Sequence, residues 1–80
     1  MDNDLLANLD KLHTTEMGID RMKRNLKIDE ADVVKYCYGM ILNPKAFIQW
    51  KGKNWYVYIE NVKITVNAHS YTIITAHKSQ

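Results

Sequence analysis

Two histidines near the carboxyl-terminal end of the sequence have the side chains best suited to acid–base chemistry. His69 and His77 fall in the segment 67–78, the densest cluster of reactive side chains in the chain. A histidine exchanges protons near neutral pH, and a neighbouring lysine such as Lys78 can stabilise negative charge on a phosphate. The pair is therefore predicted to act as general acid and base on a phosphodiester. In the simpler alternative, His69 is a solvated turn residue and His77 only ends a strand.

Tyrosines and lysines are interleaved in the residues that precede these histidines. Aromatic rings stack on bases and lysines neutralise phosphates, so this pattern is typical of a surface that binds nucleic acid. The predicted binding residues are Lys51, Lys53, Tyr56, Tyr58, Lys63, Thr65 and Lys78. The alternative is that Tyr56 and Tyr58 only form cross-strand pairs on a half-exposed sheet.

The charge distribution favours a basic second half. The chain has 80 residues and a formal net charge of +2. Residues 44–80 hold five lysines and one acid, Glu60, which gives this half a net charge of +4. If this half forms one sheet, the sheet has a positive surface, although lysines kept for solubility would give the same count.

The composition disfavours several other kinds of chemistry. The three glycines form no phosphate-binding loop, and the three histidines lack the spacing of metal ligands, so neither a cofactor nor a metal is predicted. Cys37 is the only cysteine and falls on the apolar stripe of a predicted helix, which indicates an inert core residue. An acidic amino terminus and the lack of a long apolar run predict a cytoplasmic protein without a membrane span.

Apolar residues recur at helical spacing in the first half of the sequence. This pattern predicts three helices, at about residues 4–12, 15–27 and 30–42. Thr14 or Thr15 is expected to cap the second helix, and Asp29 with Asp32 approximates a capping box for the third. His13 lies in the link between the first two helices, where a local capping or packing role is expected.

The period of the apolar residues changes to two after Pro44, which indicates strands. The predicted strands are about residues 46–51, 55–60, 62–67 and 71–77. The whole chain, residues 1–80, is therefore predicted to be a single α+β domain. Its three N-terminal helices pack on one face of a four-stranded antiparallel β-meander.

Turn positions predict which strand residues share a face. A two-residue turn at Glu60-Asn61 pairs Trp55 with Val66 and the alternate residues between them, which gives one apolar face for the helices to cover. A turn at Gly52-Lys53 adds Ala46, Ile48 and Trp50 to that face. The opposite, open face is predicted to carry Phe47, Gln49, Lys51, Asn54, Tyr56, Tyr58, Lys63, Thr65 and Asn67.

The sequence is compatible with two orientations of the last strand. An even loop around Ala68-His69 turns Thr72, Ile74 and Lys78 outward. An odd loop exposes Tyr71, Thr75 and His77 instead. Parity alone does not choose between them.

Three stretches of the sequence resemble the small bacterial family called Domain of Unknown Function 3781. These stretches are 12–18, 52–57 and 64–78, and the resemblance implies a stand-alone bacterial protein without conferring an activity. A second resemblance is to the ribonuclease-toxin fold of RelE, barnase and the colicin nucleases. It is carried by an Arg-rich helix (18–27), Asp32-Val33, Asn43-Pro44 and the strand ending Ile73-Ile74-Thr75.

The second resemblance implies metal-independent cleavage of RNA on the open sheet face. Many of those relatives begin the Arg-rich helix with a histidine, where this chain has Thr14-Thr15. The leading hypothesis is an RNA-directed module, acting as a metal-independent ribonuclease if it is catalytic. The alternatives are a non-catalytic interaction protein or inhibitor that binds a protein partner through the same face, and a homodimer formed through it.

Overall fold

The fold is known from a computed structural model that describes residues 4–27 and 32–78. The predicted fold class, three helices and a four-stranded antiparallel sheet, is confirmed. The helices are α1 (Asp4–Ala7), α2 (Glu16–Leu26) and α3 (Val33–Ile41). The strands are β1 (Phe47–Lys51), β2 (Asn54–Ile59), β3 (Val62–Asn67) and β4 (Ile73–Lys78).

The helix ends follow from local capping. The Thr15 side chain accepts a hydrogen bond from the Gly18 N–H at the start of α2, and the Asp32 carboxylate accepts one from the Lys35 N–H at the start of α3. Lys27 ends α2 in the left-handed conformation, with φ of 57°. Asp29, the other residue of the predicted capping box, lies outside the described residues.

The first predicted helix is broken in the structure. Instead of one helix over 4–12, α1 is followed by a short 3-10 turn, Leu9–Lys11. The apolar stripe is still used, because Leu5, Leu9 and Leu12 are all buried. No described helix is long and apolar enough to cross a membrane.

The sheet has the order β1-β2-β3-β4, and its first two hairpins have the predicted register. Gly52 adopts a φ of +64° as the first central residue of the β1–β2 turn, where a glycine is favoured. Lys51 pairs with Asn54 across this turn, and Ile59 pairs with Val62 across the next.

One face of the sheet packs on the helices. Helix α2 packs against β4 and α3, and α3 packs against β2. The core joins the apolar stripes of the helices to alternate residues of three strands. Its fully buried side chains include Leu5, Met22, Leu26, Val33, Cys37, Ile41, Val57, Ile64, Val66 and Ile73.

A β-bulge between β3 and β4 decides the orientation of the last strand. Thr65 pairs with Thr75, whereas Val66 pairs with Ile73, so Ile74 is an extra residue. The bulge shifts the parity, and both predicted alternatives are therefore right in part: Thr75 and His77 share the open face, while Ile74 is also exposed.

Candidate nucleic-acid interface

The open face is organised in rows that cross the strands. In the first row, Phe47 pairs with Tyr58, Tyr58 with Lys63, and Lys63 with His77. Neighbouring strands lie about 4.8 Å apart, so this row spans roughly 14 Å. It brings two aromatic rings, an ammonium group and an imidazole onto one line across the sheet.

Lys63 is the centre of this arrangement. Its Nζ lies 4.9 Å from the ring centroid of Tyr56 and 5.7 Å from that of Tyr58. Both distances are in the range of a cation–π contact, which holds the ammonium group above the rings. The Phe47 and Tyr58 rings are 6.2 Å apart at their centroids, and Phe47 is 62% exposed. The row therefore presents aromatic surface directly beside a fixed positive charge.

The second row is neutral and polar. It consists of Gln49, Tyr56, Thr65 and Thr75. Thr65 is buried between Tyr56 and Thr75 on the neighbouring strands, and α2 reaches the end of this row, where the Asn25 side chain contacts Thr75. The Asn54 side-chain N–H donates to the Tyr56 hydroxyl at 3.4 Å. This row supplies hydroxyl and amide groups beside the charged row.

The ionisable groups on the strands of this face include basic side chains and no acidic ones. Its strand residues include Lys51, Lys63 and His77 and no carboxylate. The nearest acid along the chain is Glu60, in the β2–β3 turn. An anion at Lys63 would therefore meet no like charge from the strand residues of this face.

Two predicted binding residues lie elsewhere. Lys53 is in the β1–β2 turn, where its carbonyl accepts a hydrogen bond from the Ala68 N–H at 2.7 Å. Lys78 pairs with Val62, whose side chain belongs to the core, so Lys78 is on the helix side of the sheet. The residues that the structure places on the open face are Lys51, Tyr56, Tyr58, Lys63 and Thr65.

The two predicted catalytic histidines are not brought together. His69 lies in the β3–β4 loop, before the start of β4, and His77 lies near the end of that strand. At about 3.3 Å per residue, Ile73 and His77 alone are separated by roughly 13 Å. His77 is in the same row as Lys63, whereas His69 is at the other end of the sheet, so they do not form an acid–base pair in this structure.

Phe47 was not among the binding residues predicted from the sequence. Its position on the open face followed from the turn at Gly52-Lys53, and the confirmed register places it beside Tyr58. The available signal was an aromatic residue in phase with Tyr58 across a two-residue turn.

His13 makes a local contact of the kind expected and a long-range contact as well. Its Nδ1 donates to the Lys11 carbonyl oxygen at 2.9 Å, since a carbonyl can only accept. In the neutral ring Nε2 then accepts from the Thr72 hydroxyl at 3.0 Å. The His13 backbone also forms a parallel bridge with Thr72, 59 residues later in the chain. The residue therefore fastens the helical half to the start of β4.

The β3–β4 loop is held by hydrogen bonds among its own polar groups. The Asn67 side-chain oxygen accepts from the N–H groups of His69 and Ser70, each at 2.9 Å, and the Ser70 and Thr72 hydroxyls are 2.7 Å apart. Tyr71 has a φ of 60°, and its ring packs on Trp55 with a centroid distance of 5.4 Å. These contacts fix the loop that carries His69.

Cys37 is buried in the core, and its Sγ lies 4.0 Å from the Met22 sulfur. Burial raises the pKa of the Cys37 thiol to about 12. The thiol is therefore protonated at neutral pH, as the sequence predicted for an inert core cysteine. The described residues include no cluster of His, Cys, Asp and Glu able to hold a metal ion.

The fold and this face define a small α+β protein with a partly exposed, basic and aromatic sheet surface. The chain belongs to the family described as Protein of unknown function (DUF3781), whose model matches residues 6–77. No curated protein and no solved structure matches the chain. The similarity to the ribonuclease toxins therefore stays a prediction from the sequence.

Proposed function

We propose that the open face binds single-stranded RNA. The observation that carries the proposal is the position of the Lys63 Nζ near the rings of Tyr56 and Tyr58, on a face where Phe47 and Tyr58 are exposed. A base would stack on the exposed Phe47 ring or on the ring surface of Tyr58 that Lys63 does not occupy, and its phosphate would lie against the ammonium group. The exposed Phe47 ring extends the stacking surface to the edge of the sheet.

The face fits a single strand better than a duplex. Side chains on an open sheet stack on bases only where those bases are free of a partner strand. Stacking is also tolerant of sequence, because every base has a flat π-surface. We therefore expect affinity for single-stranded RNA with a weak sequence preference, and much weaker binding to a duplex of the same length.

The binding experiment is fluorescence anisotropy with a labelled single-stranded RNA and two matched pairs of variants. Tyr58→Ala is compared with Tyr38→Ala, because Tyr58 is 37% exposed on the open face and Tyr38 is 39% exposed on α3. Lys63→Gln is compared with Lys78→Gln, whose lysine is on the helix side of the sheet. The open-face variants should each weaken binding about tenfold, and their controls should bind like the unmodified protein.

Salt dependence distinguishes RNA from the alternative protein partner. Removing one phosphate contact with Lys63→Gln should lower the slope of log affinity against log salt by about 0.7. Equal losses in both members of each pair, or no binding by the unmodified protein, would contradict the proposal.

The proposal extends to cleavage through His77 alone. His77 is opposite Lys63 in the strand register, so a phosphate held by Lys63 would lie beside the imidazole. An imidazole in that position can accept the proton of a ribose 2′-hydroxyl as its oxygen attacks the phosphorus atom. The P–O5′ bond then breaks, the leaving 5′-oxygen takes a proton from water, and a 2′,3′-cyclic phosphate remains. Incubation of RNA with the protein in chelator tests this step. Cleavage that His77→Ala abolishes and His69→Ala retains would support it, and binding without cleavage would limit the function to RNA binding.

A further inference from the structure

The described helices leave the core face of β1 partly uncovered at Trp50. Trp50 and Trp55 are paired across β1 and β2 and point to the same side of the sheet. Trp55 is 7% exposed, whereas Trp50 is 62% exposed. The helices therefore cover the sheet as far as β2 and cover β1 only in part, at Ile48. A large aromatic side chain, Trp50, is left in solvent on the face that elsewhere forms the core.

A groove lies beside this partly uncovered strand. It has a volume of about 270 Å³. Its lining residues are Leu6, Ile41, Leu42, Asn43, Pro44, Ala46 and Ile48. Leu6 and Leu42 are exposed at this groove, so aliphatic side chains form part of its open surface.

The outer edge of β1 offers backbone hydrogen bonds. In a two-residue hairpin the closing residues Lys51 and Asn54 exchange hydrogen bonds, and every second residue along β1 also faces β2. The N–H and C=O groups of Ile48 and Trp50 therefore point away from the sheet. No strand among residues 4–27 and 32–78 pairs with β1 on this side. An open edge of this kind is a template for pairing with another strand.

The strand is complementary to itself. Two copies of β1 paired antiparallel over all five residues place Gln49 opposite Gln49 on the two-fold axis. Ile48 then lies opposite Trp50 of the copy, and Phe47 lies opposite Lys51. The first pair is apolar on the helix side, the second puts a cation beside an aromatic ring, and no two lysines of the strand oppose each other.

We propose that the protein forms a two-fold dimer in which two β1 strands pair edge to edge and Trp50 of each copy packs into the groove of the other. Ile48 lines the groove and is opposite the incoming Trp50, which is why the second copy is the occupant that fits. The two outward-facing residues of each edge, Ile48 and Trp50, bond to each other across the axis. The two sheets join into one of eight strands. This dimer does not depend on RNA binding and leaves both open faces on the same side.

The test is sedimentation equilibrium over concentrations that extend above ~100 µM, since a short edge interface of this kind associates weakly. The unmodified protein should approach twice the 9.4 kDa chain mass as its concentration rises. Trp50→Lys places a charge in the groove of the partner and should weaken association by roughly tenfold or more. Ile48→Lys, on the same side of the same strand, should have the same effect.

Met17→Lys is the matched control. Met17 is a large apolar residue, 73% exposed, on α2, and it lies on neither β1 nor the groove. This variant should associate like the unmodified protein. A mass of 9.4 kDa at every concentration would overturn the proposal. A dimer that persists in both Trp50→Lys and Ile48→Lys would also overturn it and would indicate association through another surface.

Discussion

The two edges of the sheet are completed in different ways. At the β4 edge, the Ile73 N–H donates to the His13 carbonyl at 2.7 Å, and the Thr14 hydroxyl donates to the Ile73 carbonyl at 2.9 Å. At the β1 edge, no described residue plays this part. The edges of a small sheet have to be closed or protected. Here the link between the 3-10 turn and α2, through His13 and Thr14, bonds to the start of β4. The start of β4 thus has backbone partners within the chain, whereas β1 has none on its outer side among the described residues.

The largest expected effect comes from making the same substitution on the two edge strands. Ile73 is fully buried at the protected edge, whereas Ile48 is only partly buried at the open one. Ile73→Ala should lower the free energy of unfolding by about 2–4 kcal/mol, and Ile48→Ala by about 1 kcal/mol or less. Urea denaturation of dilute samples measures both values. Equal losses would show that the helices support the two edges alike.

The second-largest difference between the two edges is expected in the hydrogen-exchange rates of their amides. The amide of Ile73 has its acceptor within the chain, so its exchange should be about a hundredfold slower than that of Trp50 in dilute protein. At high concentration the Trp50 amide should become protected, because edge pairing supplies its acceptor. Protection of Trp50 that is already complete in dilute protein would show that this edge is covered within a single chain.

A smaller effect is expected from the hydroxyl that completes the β4 edge. Thr14→Val keeps the shape of the side chain and removes the donor to the Ile73 carbonyl. The loss should be about 1 kcal/mol of unfolding free energy, since the carbonyl is left without this partner. Thr15→Val is not an equivalent control, because Thr15 caps α2. Thr72→Val tests the neighbouring bond to His13 separately.

The smallest change in stability is expected from a polar contact between α2 and Thr75 of β4. The Asn25 side chain donates to the Thr75 hydroxyl at 3.4 Å, and the bond is exposed. Asn25→Ala should change the free energy of unfolding by less than about 0.5 kcal/mol. A loss as large as that of Thr14→Val would mean that α2 is attached to β4 mainly through this polar contact.

Much of the fold could be predicted because its signals are local. The change in period after Pro44, the turns at Gly52-Lys53 and Glu60-Asn61, and the caps at Thr15 and Asp32 each act within a few residues. Together they gave the fold class, the register of three strands and most of the open face. The alternation of Trp55, Val57 and Ile59 was enough to assign the helix side.

The features that could not be predicted depend on distant partners. The bulge at Thr65/Val66 changes the parity of β4 within the strand, so no loop length could have oriented both Ile73 and His77. The bridge from His13 joins residues 59 positions apart, which a rule for local capping does not consider. The separation of His69 from His77 is local instead, because His69 precedes β4 and His77 is the fifth residue of that strand.

Cys37 has a practical consequence for experiments on this protein. It is the only cysteine in the sequence, and its buried thiol has a pKa of about 12, so thiol reagents at pH 8 meet almost no thiolate in the folded chain. A cysteine introduced at Lys53, in the exposed β1–β2 turn, would therefore take up a fluorophore or spin label alone. The native chain is a ready background for single-site labelling, and its own thiol becomes reactive only when the core opens.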